Sequence, residues 1–101
     1  MGARTNILLD YGEGKQICFY SHWGGEDLPE VLKSALVRGK SRWDDPYYLA
    51  RIIFSEMIKD DVLGLTGFGI QPDVEEEEYE TLYVDLRKRT VNGESYEDYV
   101  L

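Results

Sequence analysis

The alternation of apolar and polar positions changes period several times along this chain. NILLDY (6–11) and KQICFYSHW (15–23) are two β-prone runs on either side of Gly12-Glu13-Gly14, a spacing that predicts a hairpin. In the second run Ile17, Phe19 and Ser21 share one side, and Cys18, Tyr20 and His22 share the other. The first side is the expected core face. After Gly24-Gly25, a pair placed to turn the strand sharply, Asp27-Leu28-Pro29-Glu30 reads as a helix start. Asp27 caps, Glu30 reaches back, and Pro29 sits in the first turn, where its missing N–H costs little. Leu28, Leu32, Ala35 and Leu36 line one face of this helix, which runs to about residue 38 and stops at Gly39.

KSRWDD (40–45) leads into a second helix, capped by Asp44 or Asp45 and opened by Pro46. Its apolar arc is wide. Leu49, Ile53 and Met57 form one row, Ala50, Phe54 and Ile58 another, and only Arg51, Ser55 and Lys59 make a polar stripe. Such an arc predicts the main core helix, laid across a sheet. KDDVLGLTGFG (59–69) ends the helical period, and residues 67–70 predict a short strand. TLYVDLRKRTV (81–91) alternates throughout and predicts one continuous strand, followed by the turn signal Asn92-Gly93. The tail SYEDYVL fits either a returning strand or a helical turn capped by Ser95. The order ββααββ predicts a single α+β domain over residues 1–101, with a small, mainly antiparallel sheet and two helices packed on one face. The opposite face would carry Tyr20, His22, Tyr83, Asp85 and Arg87, open to solvent or to a second copy.

Charge narrows the choice of partners. The net charge is −9 over 101 residues, and the second half is far more acidic than the first. Residues 1–50 hold six Lys/Arg and seven Asp/Glu; residues 51–101 hold five and thirteen. This balance disfavours direct contact with nucleic acid or an anionic membrane, since phosphates need cations. The acid peaks at DVEEEEYE (73–80), within a stretch, 72–80, expected to be a surface loop. That run lacks the alternating oxygen ligands and the turning Gly of a calcium loop, so no metal is assigned. The single cysteine, Cys18, excludes an internal disulfide and fits a reducing cytoplasm. No apolar run approaches the roughly 20 residues needed to span a bilayer.

Catalytic chemistry finds little support. His22 is the one histidine, and a general base needs a partner to orient it. Asp10, Asp85 and Glu26 are the acids considered for that task, with Ser21 or Cys18 as nucleophile. No G-x-S-x-G elbow is present. Glu26, Asp27 and Glu30 crowd the first helix's start and would repel a phosphate. No catalytic residue and no cofactor is therefore assigned. Contact residues are easier to name. Arg42, Trp43, Tyr47 and Tyr48, beside Arg38 and Lys40, combine charge with aromatic area, and Tyr20, His22 and Trp23 form a second aromatic group.

YSHWGGEDLP, RWDDPYYLARIIFSEMI and TGFGI together resemble a family of small proteins of actinobacteriophages, mycobacteriophages included, over roughly residues 17–91. The resemblance implies a phage product acting in the bacterial cytoplasm. It carries no assigned activity, cofactor or site residue. The function expected is binding to a host protein, for host takeover or counter-defence, through Tyr20, His22, Trp23, Arg42, Trp43, Tyr47 and Tyr48. The alternatives are an acidic mimic of nucleic acid that inhibits a DNA-processing protein, and a small-ligand binder or hydrolase centred on His22. A homodimer through the open sheet face is also considered.

Overall fold

The computed structural model describes residues 3–75 and 77–101, so Glu76 of the acidic run lies outside the described residues. Strand β1 (Thr5–Gly12) and strand β2 (Lys15–Ser21) form the expected hairpin, with Ile7 opposite Phe19 and Leu9 opposite Ile17. Helix α1 (Leu28–Arg38), a single 3-10 turn (Lys40–Arg42) and helix α2 (Pro46–Ile58) follow. Then come β3 (Phe68–Gln71), β4 (Leu82–Asp85), β5 (Thr90–Val91), β6 (Glu94–Ser95) and a closing helical turn, α3 (Tyr96–Tyr99). The fold is α+β, one sheet of six strands in the order β3-β2-β1-β4-β5-β6.

The core lies between the sheet and the helices. Ile7, Leu9, Phe19 and Val84 meet Leu32, Leu36, Leu49 and Ile53, all 3% exposed or less. A fully buried side chain of this kind contributes roughly 1.5–3 kcal/mol. Phe19 packs on Phe54 with ring centres 4.8 Å apart, which pins α2 across the hairpin. The α2 cap forms as expected, with the Asp45 carboxylate accepting from the Tyr48 N–H. The α1 cap does not. Asp27 occupies the cap position but its side chain makes no capping bond. The Gly24 carbonyl takes the N–H groups of Asp27 and Leu28, so the start is held by a backbone turn instead.

The sheet differs from the expected one in a single pairing that reorganises half the molecule. β4 lies beside β1 and runs parallel to it, Ile7 facing Leu82 and Asp10 facing Asp85. The sheet is mixed, not mainly antiparallel. The cause is the connection at residues 72–81, which leaves edge strand β3, crosses β2 and β1, and returns to the end where β1 begins. Ten extended residues reach roughly 33 Å, ample for two strand spacings of about 4.8 Å and the return. Along the way the Pro72 carbonyl accepts from Gln16, and the Thr81 hydroxyl accepts from Asn6. The Arg4 carbonyl accepts from the Glu78 and Tyr79 N–H groups.

This crossing corrects the picture of an uncovered second face. Cys18 and Asn6, on the side away from the helices, are fully buried. The half around Asp10, Tyr83, Asp85 and Thr90 is open, as a shallow hollow of about 420 Å3. The strand expected over 81–91 also breaks in two. The Asp85 carboxylate accepts the N–H groups of Arg87 and Lys88, both at 3.0 Å, and turns the chain away. The tail realises both of its readings: β6 pairs with β5 across Asn92-Gly93, and the Ser95 hydroxyl caps α3.

Candidate functional site

The seven residues expected to form one contact surface lie at opposite ends of β1. Tyr47 stacks on Tyr11 at the far end of that strand, ring centres 5.6 Å apart. Trp23 follows Ser21, the partner of Thr5 at the near end. Six residues of strand separate these ends, about 20 Å. The structure therefore makes two groups of them and spends several on the fold itself.

In the first group Tyr20 is an internal brace. The Arg4 guanidinium lies 4.3 Å from its ring centre, and its hydroxyl end presses on Gly69, where an added Cβ would fall 2.2 Å from Cζ. His22 is exposed and sits edge-on to Tyr20, with ring centres 5.5 Å apart. Its backbone N–H donates to the Gly67 carbonyl, and its own carbonyl accepts from Ala3. Asp10 and Asp85 sit side by side about 20 Å along the sheet, out of reach of the imidazole. The Glu26 carboxylate accepts from the Tyr79 hydroxyl. Ser21 Oγ accepts the N–H groups of Trp23 and Gly24, which uses the hydroxyl to build the corner. Cys18 is buried, and that burial, ahead of its other influences, pushes its thiol up and away from the reactive thiolate.

The Gly24-Gly25 pair has a different cause from the one expected. Both have ordinary backbone angles, and the positive φ values lie elsewhere. Glycine is needed there for closeness. A Cβ at Gly24 would lie 2.8 Å from Ser21 Oγ, and one at Gly25 would lie 2.3 Å from the Tyr79 ring. The true backbone exception at this corner is Gly67, with φ +102°, whose α-carbon carries the Trp23 ring.

In the second group Trp43 plugs the junction between the helices. Its indole N–H donates to the Leu36 carbonyl at 2.9 Å, and its ring meets Tyr96 edge-on at 5.2 Å. Arg38 is likewise tied down, donating to Glu56, Ser55 and the Ile52 carbonyl. Arg42 and Tyr48 stay on the surface, the guanidinium 5.1 Å from the ring centre. Tyr47 edges a cleft of about 240 Å3 with Tyr11, Lys15 and Arg87.

A further exposed apolar area extends beyond the residues expected from the sequence. Leu63 and Leu65 are 91% and 97% exposed, Trp23 is 61% exposed and Ile70 55%. All four belong to one corner. Trp23 rests on Gly67, which closes the loop bearing Leu63 and Leu65 and opens into β3, where Ile70 lies. Large apolar side chains grouped in this way on a surface mark interaction sites. Their signal was present in V-L-G-L, an apolar cluster with no period, set between paired aspartates and a glycine-rich strand.

Around this corner the charge is acidic. Glu26, Asp27, Asp60 and Asp61 are all exposed. Of the nearby cations, Lys59 is bound to Glu56 at 2.9 Å and Arg4 lies over the Tyr20 ring. The acidic crossing segment is exposed, and some of its carboxylates tie it to the fold. The Glu77 carboxylate accepts from the Thr81 N–H and hydroxyl, and the Glu78 carboxylate accepts from the Arg4 N–H. Among the described residues, no group of three or more His, Cys, Asp or Glu is placed to hold a metal ion. No described helix is long and apolar enough to cross a membrane. Comparison with protein-family models, with curated proteins and with solved structures finds no match for this chain.

Proposed function

We propose that this protein acts by binding another protein, and that the corner formed by Trp23, the 62–66 loop and β3 is its contact surface. The observation that carries the reading is the near-complete exposure of Leu63 and Leu65 next to Trp23 and Ile70. Leaving that much apolar area in water favours any partner that covers it. The acidic residues around it steer a basic partner and speed its approach. His22 belongs to the rim of this surface. Arg42, Tyr47 and Tyr48 form a second, smaller one at the opposite end of the sheet.

The resemblance to small actinobacteriophage proteins makes the partner a protein of the bacterial host, met in its cytoplasm, with host takeover or counter-defence as the outcome. The test uses wild type and a Trp23→Ala/Leu65→Ser variant as baits in host lysate. The captured protein is then purified and titrated by calorimetry. Wild type should bind at least about tenfold more tightly, a loss of about 1.4 kcal/mol or more for the variant. Equal affinities for the two baits would remove this corner from the function.

A further inference from the structure

Strand β3 is an edge strand, and among the described residues no strand pairs with its outer side. Its backbone alternates. Gly67 accepts from His22 of the neighbouring strand run, so Gly69 and Gln71 also turn toward β2. Phe68 and Ile70 then turn their N–H and C=O groups outward. Proteins usually guard such an edge with a lysine, a proline or a bulge. FGIQ has none of these, and Pro72 comes only after the strand has ended. Beside the edge, on the helix side, runs a small cleft of about 140 Å3 between β3 and the end of α2, lined by Phe54, Ile58, Val62, Thr66 and Phe68. Asp61 stands in its wall.

On the reading that this corner binds protein, we infer that β3 takes up an extended, basic segment of the partner as a seventh strand. Main-chain groups of that segment pair with Phe68 and Ile70. Alternate side chains are Lys or Arg and lie on the helix side, their stems along the cleft and their charges toward Asp61; the others are apolar and lie along the opposite face of the sheet. Charge selects this occupant over a second copy of the chain. Two β3 edges brought together would set the aspartates of two molecules of charge −9 against one another.

The test is nuclear magnetic resonance of the whole chain with short synthetic peptides. One alternates Lys and Val, one alternates Glu and Val, and one is the Lys/Val peptide N-methylated at alternate backbone nitrogens. The Lys/Val peptide should protect the Phe68 and Ile70 amides from hydrogen exchange. It should bind about tenfold more tightly than Glu/Val at low salt, with the gap closing as salt rises. Methylation on the pairing edge, or Ile70→Lys in a protein with an unchanged far-UV spectrum, should abolish the protection. No binding by Lys/Val, or equal binding by Glu/Val, overturns the inference. Binding that protects neither amide and ignores methylation overturns strand addition while leaving a protein-binding corner intact. Concentration-dependent protection of the two amides without any peptide assigns the edge to a second copy and also overturns it. The protein-binding reading itself stands or falls on the Trp23/Leu65 titration.

Discussion

The Trp23 ring rests on the α-carbon of Gly67: a Cβ added there would lie 2.1 Å from Cζ3 and 2.8 Å from Cη2. This contact joins the end of the hairpin to the loop that opens β3. It also explains why a residue with φ +102° stands at that point, since glycine alone tolerates both the angle and the closeness. Gly67→Ala should therefore cost about 2 kcal/mol or more in a denaturant titration and shift tryptophan emission to the red. In a Trp23→Ala background the same change loses its clash and should cost only about 1 kcal/mol, the backbone part alone. A cycle with no coupling would show that the ring does not depend on the glycine.

The hydroxyl of Tyr96 is buried without a hydrogen-bond partner among the described residues. Tyr96→Phe should raise stability by about 1 kcal/mol at neutral pH, because it removes a polar group that folding strips of water. The pH response has a definite sign. Burial, with the Asp85 charge behind it, holds the Tyr96 phenol above its ordinary value of 10.0, and burial pushes Tyr99 up to about 12. The unfolded chain therefore loses these protons first, and stability falls as pH rises above 10. Thermal melts at alkaline pH should show a shallower fall for Tyr96→Phe than for wild type.

Glu56 answers at the acid end. It is 9% exposed and accepts from Lys59 at 2.9 Å and from Arg38 at 3.0 Å, and these bonds, Lys59 foremost, hold its carboxyl below the ordinary 4.5. A depressed folded value means stability present above 4.5 and lost as pH falls through the folded value. Glu56→Gln should cost about 1 kcal/mol at neutral pH, a modest figure because both cations are largely exposed to water. It should also flatten the acid limb of a stability–pH curve. An unchanged limb would show that other carboxylates govern acid unfolding.

His22 tests the catalytic alternative. Its ring is exposed, and Asp10 and Asp85 lie about 20 Å along the sheet. His22→Ala should fold normally, within about 0.5 kcal/mol of wild type by chemical denaturation. It should also weaken partner binding far less than Trp23→Ala, as a rim position does. A His22→Ala protein with intact binding but no biological effect would return a chemical role to the imidazole.

Much of the local structure was legible in the residues. The hairpin followed from two β-prone runs around Gly12-Glu13-Gly14, and α2 from an apolar arc broad enough to need a sheet beneath it. Pro46 after Asp45 marked its start, and Ser95 and Asn92-Gly93 marked the tail. These signals live within a few residues of one another, so short-range geometry decides them. The strand over 81–91 failed for a local reason too, because Asp85 bonds the two N–H groups that would have continued it.

The exposure of individual side chains was less legible. Aromatic and Arg positions were visible, but Tyr20 and Trp43 are half-buried against the fold, and the exposure of Leu63, Leu65 and Ile70 is set by the tertiary structure. Whether an apolar side chain is buried depends on what packs over it, and that is settled by distant chain.

The residues alone determined which segments curl, which extend, and where each stops, since backbone sterics and hydrophobic period act over one or two turns of chain. Only the tertiary arrangement decided that residues 72–81 would cross two strands to lay β4 parallel to β1. That choice buried Cys18 and Asn6 and left β3 at the margin. Strand order depends on the total burial the whole chain can reach, a sum over pairs far apart in sequence.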